Sequence, residues 1–234
     1  MRNSRKHNDI REIKITRDFC PASYGSVLFE MGNTRVICAA TMSGDVPEFA
    51  VNKNTGWLTA EYSLLPYSTI PRTKRELIKK DGRSVEIQRL IGRSLRCGVD
   101  LSLMKEFFVT VDCDVLQADG GTRTASITGA CMALQLTFTR MMQEGLLTAN
   151  PLVSPVAAIS VGSVKGNCLL DLDFSEDSQA DIDLNIVMNS RYDIIEIQGS
   201  GEERAFNMSE LNEMISTAKK GIEELFGLYS RYGI

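Results

Sequence analysis

The sequence predicts a mixed α/β protein, with several antiparallel strands in each half and a few helices packed on them. Three observations carry this. A hydrophobic content of 43% beside 24% charged residues supplies both a core and a wetted surface. Short runs of alternating apolar and polar residues, punctuated by Gly, Asn and Pro, recur in both halves of the chain. Two longer segments, 125–142 and 209–228, carry apolar residues at helical spacing instead. The 234 residues contain no linker and no short-period repeat, so a single domain over 1–234 is expected.

Taken in order, residues 1–20 read as an arm with one short strand at 12–16. Residues 25–30 and 34–41, joined at Gly32-Asn33, read as a β-hairpin, with Val27, Phe29 and Met31 and then Val36 and Cys38 on the covered face. The looser stretch 43–60 carries Gly44, Pro47 and Gly56, and a strand at 58–65 is closed by Pro66 and Pro71. Residues 67–82 are rich in Lys, Arg and Thr without an apolar face, which predicts a mobile surface loop. Composition favours a solvated linker there over a loop that grips RNA. A helix is expected over 82–97, with Ser84 as its N-cap and Val85, Ile87, Leu90, Ile91 and Leu95 as its apolar side. On it, Arg89, Arg93 and Arg96 share one face, read as a salt-bridge surface toward another subunit or domain. Arg83, at the helix start, can face an anion.

A strand at 107–116 leads into the 125–142 helix, which is apolar nearly all round and therefore expected to be buried between layers. Asp112 and Asp114 fall on one face of that strand and read as buried structural carboxylates. Strands follow at 153–161 and 167–172, then at 182–188 and 192–198 with a turn at 189–191. The last helix, 209–228, has Ser209 as its expected N-cap and Leu211, Met214, Ile215, Ala218, Ile222, Leu225 and Phe226 as its buried stripe.

Charge and composition narrow the chemistry. A net charge of −4 argues against a surface coated with nucleic acid. Its distribution is uneven. Residues 72–96 hold nine basic and three acidic side chains, and 171–183 hold six acidic and no basic ones. Two such segments in one fold suggest a polyanion and a metal ion meeting in one cleft, against the plainer reading of two solvated faces. The one histidine, His7, lies in a polar N-terminal segment, which argues against a histidine base or a histidine-rich metal site. The six cysteines are scattered without a C-x-x-C pair, so a reduced, cytoplasmic protein without structural zinc is expected. The basic N-terminus is not followed by an apolar run, and no stretch approaches the ~18 apolar residues of a membrane span.

The segment Asp112 to Thr124 concentrates the candidate chemistry. A strand delivers the chain to Gly120-Gly121, and a helix then begins with Thr122 and Arg123. Free backbone N–H groups beside a cation form a cradle for phosphate, although the spacing is not a Walker A loop. Asp177 and Asp183 flank a strand entry. They suit Mg²⁺ or Mn²⁺, which take one or two protein carboxylates plus phosphate oxygens, or they can serve as a general acid. An exposed acidic turn is the alternative. With Arg83, Thr122 and Arg123 they supply what phosphoryl transfer requires: positioning, charge neutralisation and a metal.

Residues Cys113-Asp-Val-Leu-Gln-Ala-Asp-Gly-Gly-Thr-Arg-Thr-Ala125 resemble the signature of the ribonuclease PH family, whose relatives include polynucleotide phosphorylase and the exosome ring subunits. Gly82-Arg-Ser-Val-Glu-Ile-Gln-Arg-Leu-Ile-Gly-Arg-Ser-Leu-Arg96, Gly56-Trp-Leu-Thr-Ala-Glu-Tyr-Ser-Leu-Leu-Pro66 and Leu170-Asp-Leu-Asp-Phe-Ser-Glu-Asp-Ser178 extend the resemblance from about Arg2 to the final helix. It implies the ribonuclease PH fold, akin to the second domain of ribosomal protein S5. The implied activity is that of a tRNA nucleotidyltransferase, a phosphorolytic 3′-5′ exoribonuclease. Orthophosphate would attack the 3′-terminal phosphodiester of precursor tRNA or other RNA, including ribosomal RNA, and release a nucleoside diphosphate. The resemblance places orthophosphate on Arg83, Gly121, Thr122 and Arg123, the catalytic and Mg²⁺- or Mn²⁺-binding role on Asp177 and Asp183, and RNA on Arg72 and Arg75. It also implies a homo-hexamer built as a trimer of dimers. A non-catalytic RNA-binding ring subunit is the alternative, and a nucleotide phosphatase a third reading that the basic segment opposes. The departures from the family pattern, at Lys105–Phe108, Ser200-Gly201 and Cys97-Gly98, avoid the implied phosphate and metal positions, and Phe107 and Phe108 bear instead on a subunit contact.

Overall fold

A computed structural model describes residues 2, 5–75 and 81–234. Of the basic segment, Glu76, Lys79 and Lys80 lie outside the described residues. Two sheets form the frame. The first has strands β1 (Ile13–Arg17), β2 (Gly25–Met31), β3 (Thr34–Ser43), β4 (Trp57–Leu64) and β5 (Phe108–Gln117), in the order β1-β2-β3-β5-β4. Its pairs are antiparallel except β4 with β5, which run parallel and are joined through helix α2 (Gly82–Cys97). The second sheet, antiparallel throughout, has β6 (Val156–Val164), β7 (Asn167–Leu170), β8 (Ile182–Asn189) and β9 (Ile194–Gly201), in the order β7-β6-β8-β9.

Helix α3 (Thr122–Gln143) packs on β2, β3 and β5 of one sheet and on β6 and β8 of the other. Its composition explains the placement: Ile127, Ala130, Met132, Ala133 and Leu134 leave no polar side, and all are fully buried. Each large side chain so buried contributes about 1.5–3 kcal/mol. Close approach requires Gly25, where a Cβ would stand 2.5 Å from the Ala133 carbonyl oxygen. Most buried residues of both sheets merge into one continuous cluster around this helix, and Leu169 of β7 joins Leu172 and Ala180 in a small second one. Helix α5 (Met208–Arg231) covers β6 and β7, and its Tyr229 hydroxyl donates to the Val156 carbonyl at 3.1 Å.

Several local expectations are corrected. The N-cap of α2 is Asp81, whose carboxylate accepts from the Arg83 N–H at 2.6 Å, while Ser84 is buried in the first turn. The N-cap of α5 is Asn207, which accepts from Ser209 and Glu210 N–H groups while Glu210 reaches back to it. In both cases two cap-forming residue types stand two or three positions apart, and the helix extends to the earlier one. A short helix α1 (Glu48–Val51) follows Pro47 within the stretch expected to be irregular. Asp112 and Asp114 are half-buried on the face of β5 that turns away from Val111, Cys113 and Val115, so they are not core carboxylates. Strand β9 starts at Ile194 because Asn189 accepts the Arg191 and Asp193 N–H groups and lengthens the turn. Of the arginine face, Arg93 pairs with Glu196 on β9, tying α2 to the second sheet within one chain. Arg96 donates to the Leu58 carbonyl and stacks over Trp57.

Candidate active site

The chain leaves β5 and turns at Gly120 and Gly121, both left-handed with φ of +73° and +64°. A Cβ on Gly120 would lie 2.5 Å from the Leu172 carbonyl oxygen, so glycine is required by conformation and by space. The turn is pinned from several sides. The Thr34 hydroxyl donates to the Gly120 carbonyl at 2.7 Å, and Arg11 donates to the Asp119 carbonyl at 2.5 Å. Arg11 in turn is held by Asp171, which accepts its Nε at 2.9 Å, its Nη2 at 2.6 Å and its backbone N–H at 2.7 Å. The Asp119 carboxylate accepts from Asn33 and from the Phe174 N–H, which makes it a joint of the turn.

Helix α3 opens at Thr122 with Gly121 as its N-cap and no side chain capping it, so its first N–H groups face outward beside Arg123. Arg123 donates to Gln198 Oε1 at 2.7 Å and stands 3.7 Å from Glu86, which joins β9 and α2 to the cradle. Tyr62 on β4 donates its hydroxyl to Thr122 Oγ1 at 2.9 Å. The loop bearing exposed Arg72 and Arg75 is anchored next to the cradle, because the Ala118 N–H donates to the Ser68 carbonyl at 2.8 Å.

Asp177 ends the short helix α4 (Phe174–Asp177), and Asp183 is the second residue of β8. Burial raises the Asp177 pKa, opposed by the positive fields of Arg83 and Arg123. Burial and then the Asp177 carboxylate push Asp183 up to about 6, opposed by Arg123 and by a hydrogen bond from Asn185. Arg83, Arg123, Asp177 and Asp183, spread over a hundred residues of sequence, therefore share one electrostatic neighbourhood. Asp183 Oδ1 is buried with no hydrogen-bond partner among the described residues. An orphaned, buried carboxylate oxygen beside a second carboxylate fits a hard divalent cation. Among the described residues no group of three or more His, Cys, Asp or Glu gathers, so the protein would supply two carboxylates and phosphate oxygens the rest.

Arg11, Asp171, Tyr62, Glu86 and Gln198 are the supporting residues that sequence reasoning missed as parts of this site. Tyr62, Glu86 and Asp171 lie in segments that carry the family resemblance without a role of their own there, and Arg11 and Gln198 lie outside them; for all five the tertiary partner assigns the role.

Residues 9–139 match the first domain of the 3′ exoribonuclease family, and residues 154–221 match its second domain. Ribonuclease PH of Neisseria meningitidis is 52% identical over 227 residues, which cover 96% of this chain and 94% of that protein. Ribonuclease PH of Corynebacterium glutamicum is 52% identical, covering 95% and 92% of the two chains. Among solved structures, an Archaeoglobus fulgidus exosome with RNA bound to the active site superposes with a TM-score of 0.84 at 22% identity, over 97% of this chain and 92% of that one. Rice Rrp46 superposes with a TM-score of 0.77 at 18% identity, over 98% and 97%. These two likenesses bear on the fold. Among the described residues, no helix is long and apolar enough to cross a membrane.

Proposed function

This chain belongs to the ribonuclease PH family of 3′ exoribonucleases, and from that premise we propose how its site carries out phosphorolysis of RNA 3′ ends. The activity is phosphate-dependent: a phosphorolytic 3′-5′ exoribonuclease of the tRNA nucleotidyltransferase type. The observation that carries the site assignment is the convergence of an uncapped helix start, Arg83 and Arg123 with the Asp177/Asp183 pair.

Orthophosphate rests on the N–H groups at Gly121 to Arg123, the Thr122 hydroxyl and the Arg123 and Arg83 guanidiniums. Its oxygen attacks the phosphorus of the last internucleotide linkage. The bond from phosphorus to the 3′ oxygen of the preceding nucleotide breaks, and the terminal nucleotide leaves as a nucleoside diphosphate. Donors held rigidly by the fold stabilise charge on the transferring phosphoryl group without reorganising. Asp177 and Asp183 would hold Mg²⁺ or Mn²⁺, which when bound neutralises phosphate oxygens. Asp183, poised near pH 6, can also hold the proton that the departing 3′ oxygen needs.

Arg72 and Arg75, on the loop anchored at Ser68, grip the RNA backbone upstream of the scissile bond. The substrate is the 3′ trailer of precursor tRNA, with ribosomal and other RNA ends as further substrates. The assembly is a cytoplasmic homo-hexamer, a trimer of dimers. The test is product identity on a tRNA carrying a 3′ extension, with Mg²⁺ present and orthophosphate varied. Nucleoside diphosphates released only with orthophosphate support phosphorolysis. Monophosphates released without it would point to a hydrolase, and RNA binding without any release to a non-catalytic ring subunit.

A further inference from the structure

Tyr62 is the one hydroxyl-bearing aromatic that the first sheet sends beneath the anion cradle. Its side chain projects inward from β4 and is 1% exposed. A buried phenol proton requires an acceptor. The fold provides one: Thr122 Oγ1, at 2.9 Å. Thr122 is the first residue of α3 and sits at the cradle itself. A threonine hydroxyl carries one proton and two lone pairs. With one lone pair occupied by Tyr62, its own proton is left to point away from the sheet and toward the anion. The surroundings favour that arrangement. Burial raises the Tyr62 pKa and outweighs the opposing positive fields of Arg83 and Arg123, so the phenol stays protonated and remains a donor.

We infer that Tyr62 is a positioning residue for orthophosphate: its hydroxyl locks Thr122 as a hydrogen-bond donor to the attacking anion. The Thr122 hydroxyl then joins the N–H groups of the helix start and the two guanidiniums as a donor to the anion. The inference rests on the assignment of Thr122 and Arg123 to orthophosphate. Tyr62 does not touch substrate and acts through Thr122 alone. Its effect therefore falls on orthophosphate capture and leaves RNA binding alone.

The experiment is a double-mutant cycle on the full-length enzyme with Tyr62→Phe, Thr122→Val and the pair, reading kcat and the KM values for orthophosphate and RNA. Tyr62→Phe keeps the ring that fills the core and should raise KM for orthophosphate about twofold to tenfold, the worth of one hydrogen bond. Its KM for RNA and its kcat at saturating orthophosphate should stay at the parent values. In the Thr122→Val background, adding Tyr62→Phe should change KM for orthophosphate by less than about twofold, because the relay is already broken. Thermal melts supply the second readout. Thr122→Val strands the phenol proton and lowers Tm, and adding Tyr62→Phe should restore part of that loss. An unchanged KM for orthophosphate in Tyr62→Phe, or equal effects of Tyr62→Phe in both backgrounds, overturns the proposal. A parent enzyme that degrades RNA without orthophosphate would instead overturn the phosphorolysis reading, so the two failures are distinct.

Discussion

Asp183→Asn should make the metal-free protein more stable while abolishing its chemistry. The Asp183 pKa rises from 3.8 to about 6 on folding, through burial and the Asp177 charge. A carboxylate raised in this way is a liability in its ionised form. Between the two pKa values the folded state binds more protons than the unfolded state, so stability falls as pH rises through that window and levels off above about 6. The shift is about two units at 1.36 kcal/mol each, so ionised Asp183 costs about 3 kcal/mol above pH 6. Asparagine removes the charge, keeps the shape and can still accept the Asn185 hydrogen bond. In a chain of this length that corresponds to a Tm gain of about 6–12 °C at pH 8. The assay is a thermal melt in chelator at fixed protein concentration, from pH 4 to pH 8. The gain should shrink toward pH 4, where the parent carboxyl is protonated in the folded state. Adding Mg²⁺ should raise the parent Tm and leave the variant nearly unmoved. A variant no more stable than the parent at pH 8, or a gain that does not depend on pH, would refute the reasoning.

The other predictions concern the cradle and its brace. Asp171→Asn weakens an ion pair to Arg11 whose side chains are 0% and 6% exposed, and should cost about 3–5 kcal/mol in urea unfolding. A loss below 1 kcal/mol would show that the brace is dispensable. Arg123→Ala removes the charged phosphate contact proposed above. It should raise the orthophosphate requirement by about tenfold to a hundredfold at saturating RNA, with a small change in Tm from the lost Gln198 bond. Unchanged turnover at low orthophosphate would remove Arg123 from the site.

Local pattern carried much of this protein into view. Alternation placed the β2–β3 hairpin, and the nearly all-round apolar surface of 125–142 placed α3 between two layers, because side-chain period and burial are local consequences of backbone geometry. Cap positions were less legible. Asp81 and Ser84, like Asn207 and Ser209, are all cap-forming types, and the choice depends on how far each helix can extend before packing stops it. Asp112 and Asp114 showed their common face in the sequence, yet which face of β5 meets the core depends on α3 lying on the other one.

The turn proposed as the anion cradle belongs to the first kind of knowledge. A strand, two glycines and a helix opening on Thr122 and Arg123 define it within a dozen residues, and backbone N–H geometry needs nothing further. Its supports belong to the second. Arg11 reaches Asp171 across 160 positions, Gln198 reaches Arg123 across 75, and Tyr62 reaches Thr122 across 60. No periodicity in the chain encodes such pairs. They exist because two sheets close on one buried helix and bring distant hydrogen-bonding groups to its N-terminus, and the same closure puts Asp183 where its charge is costly.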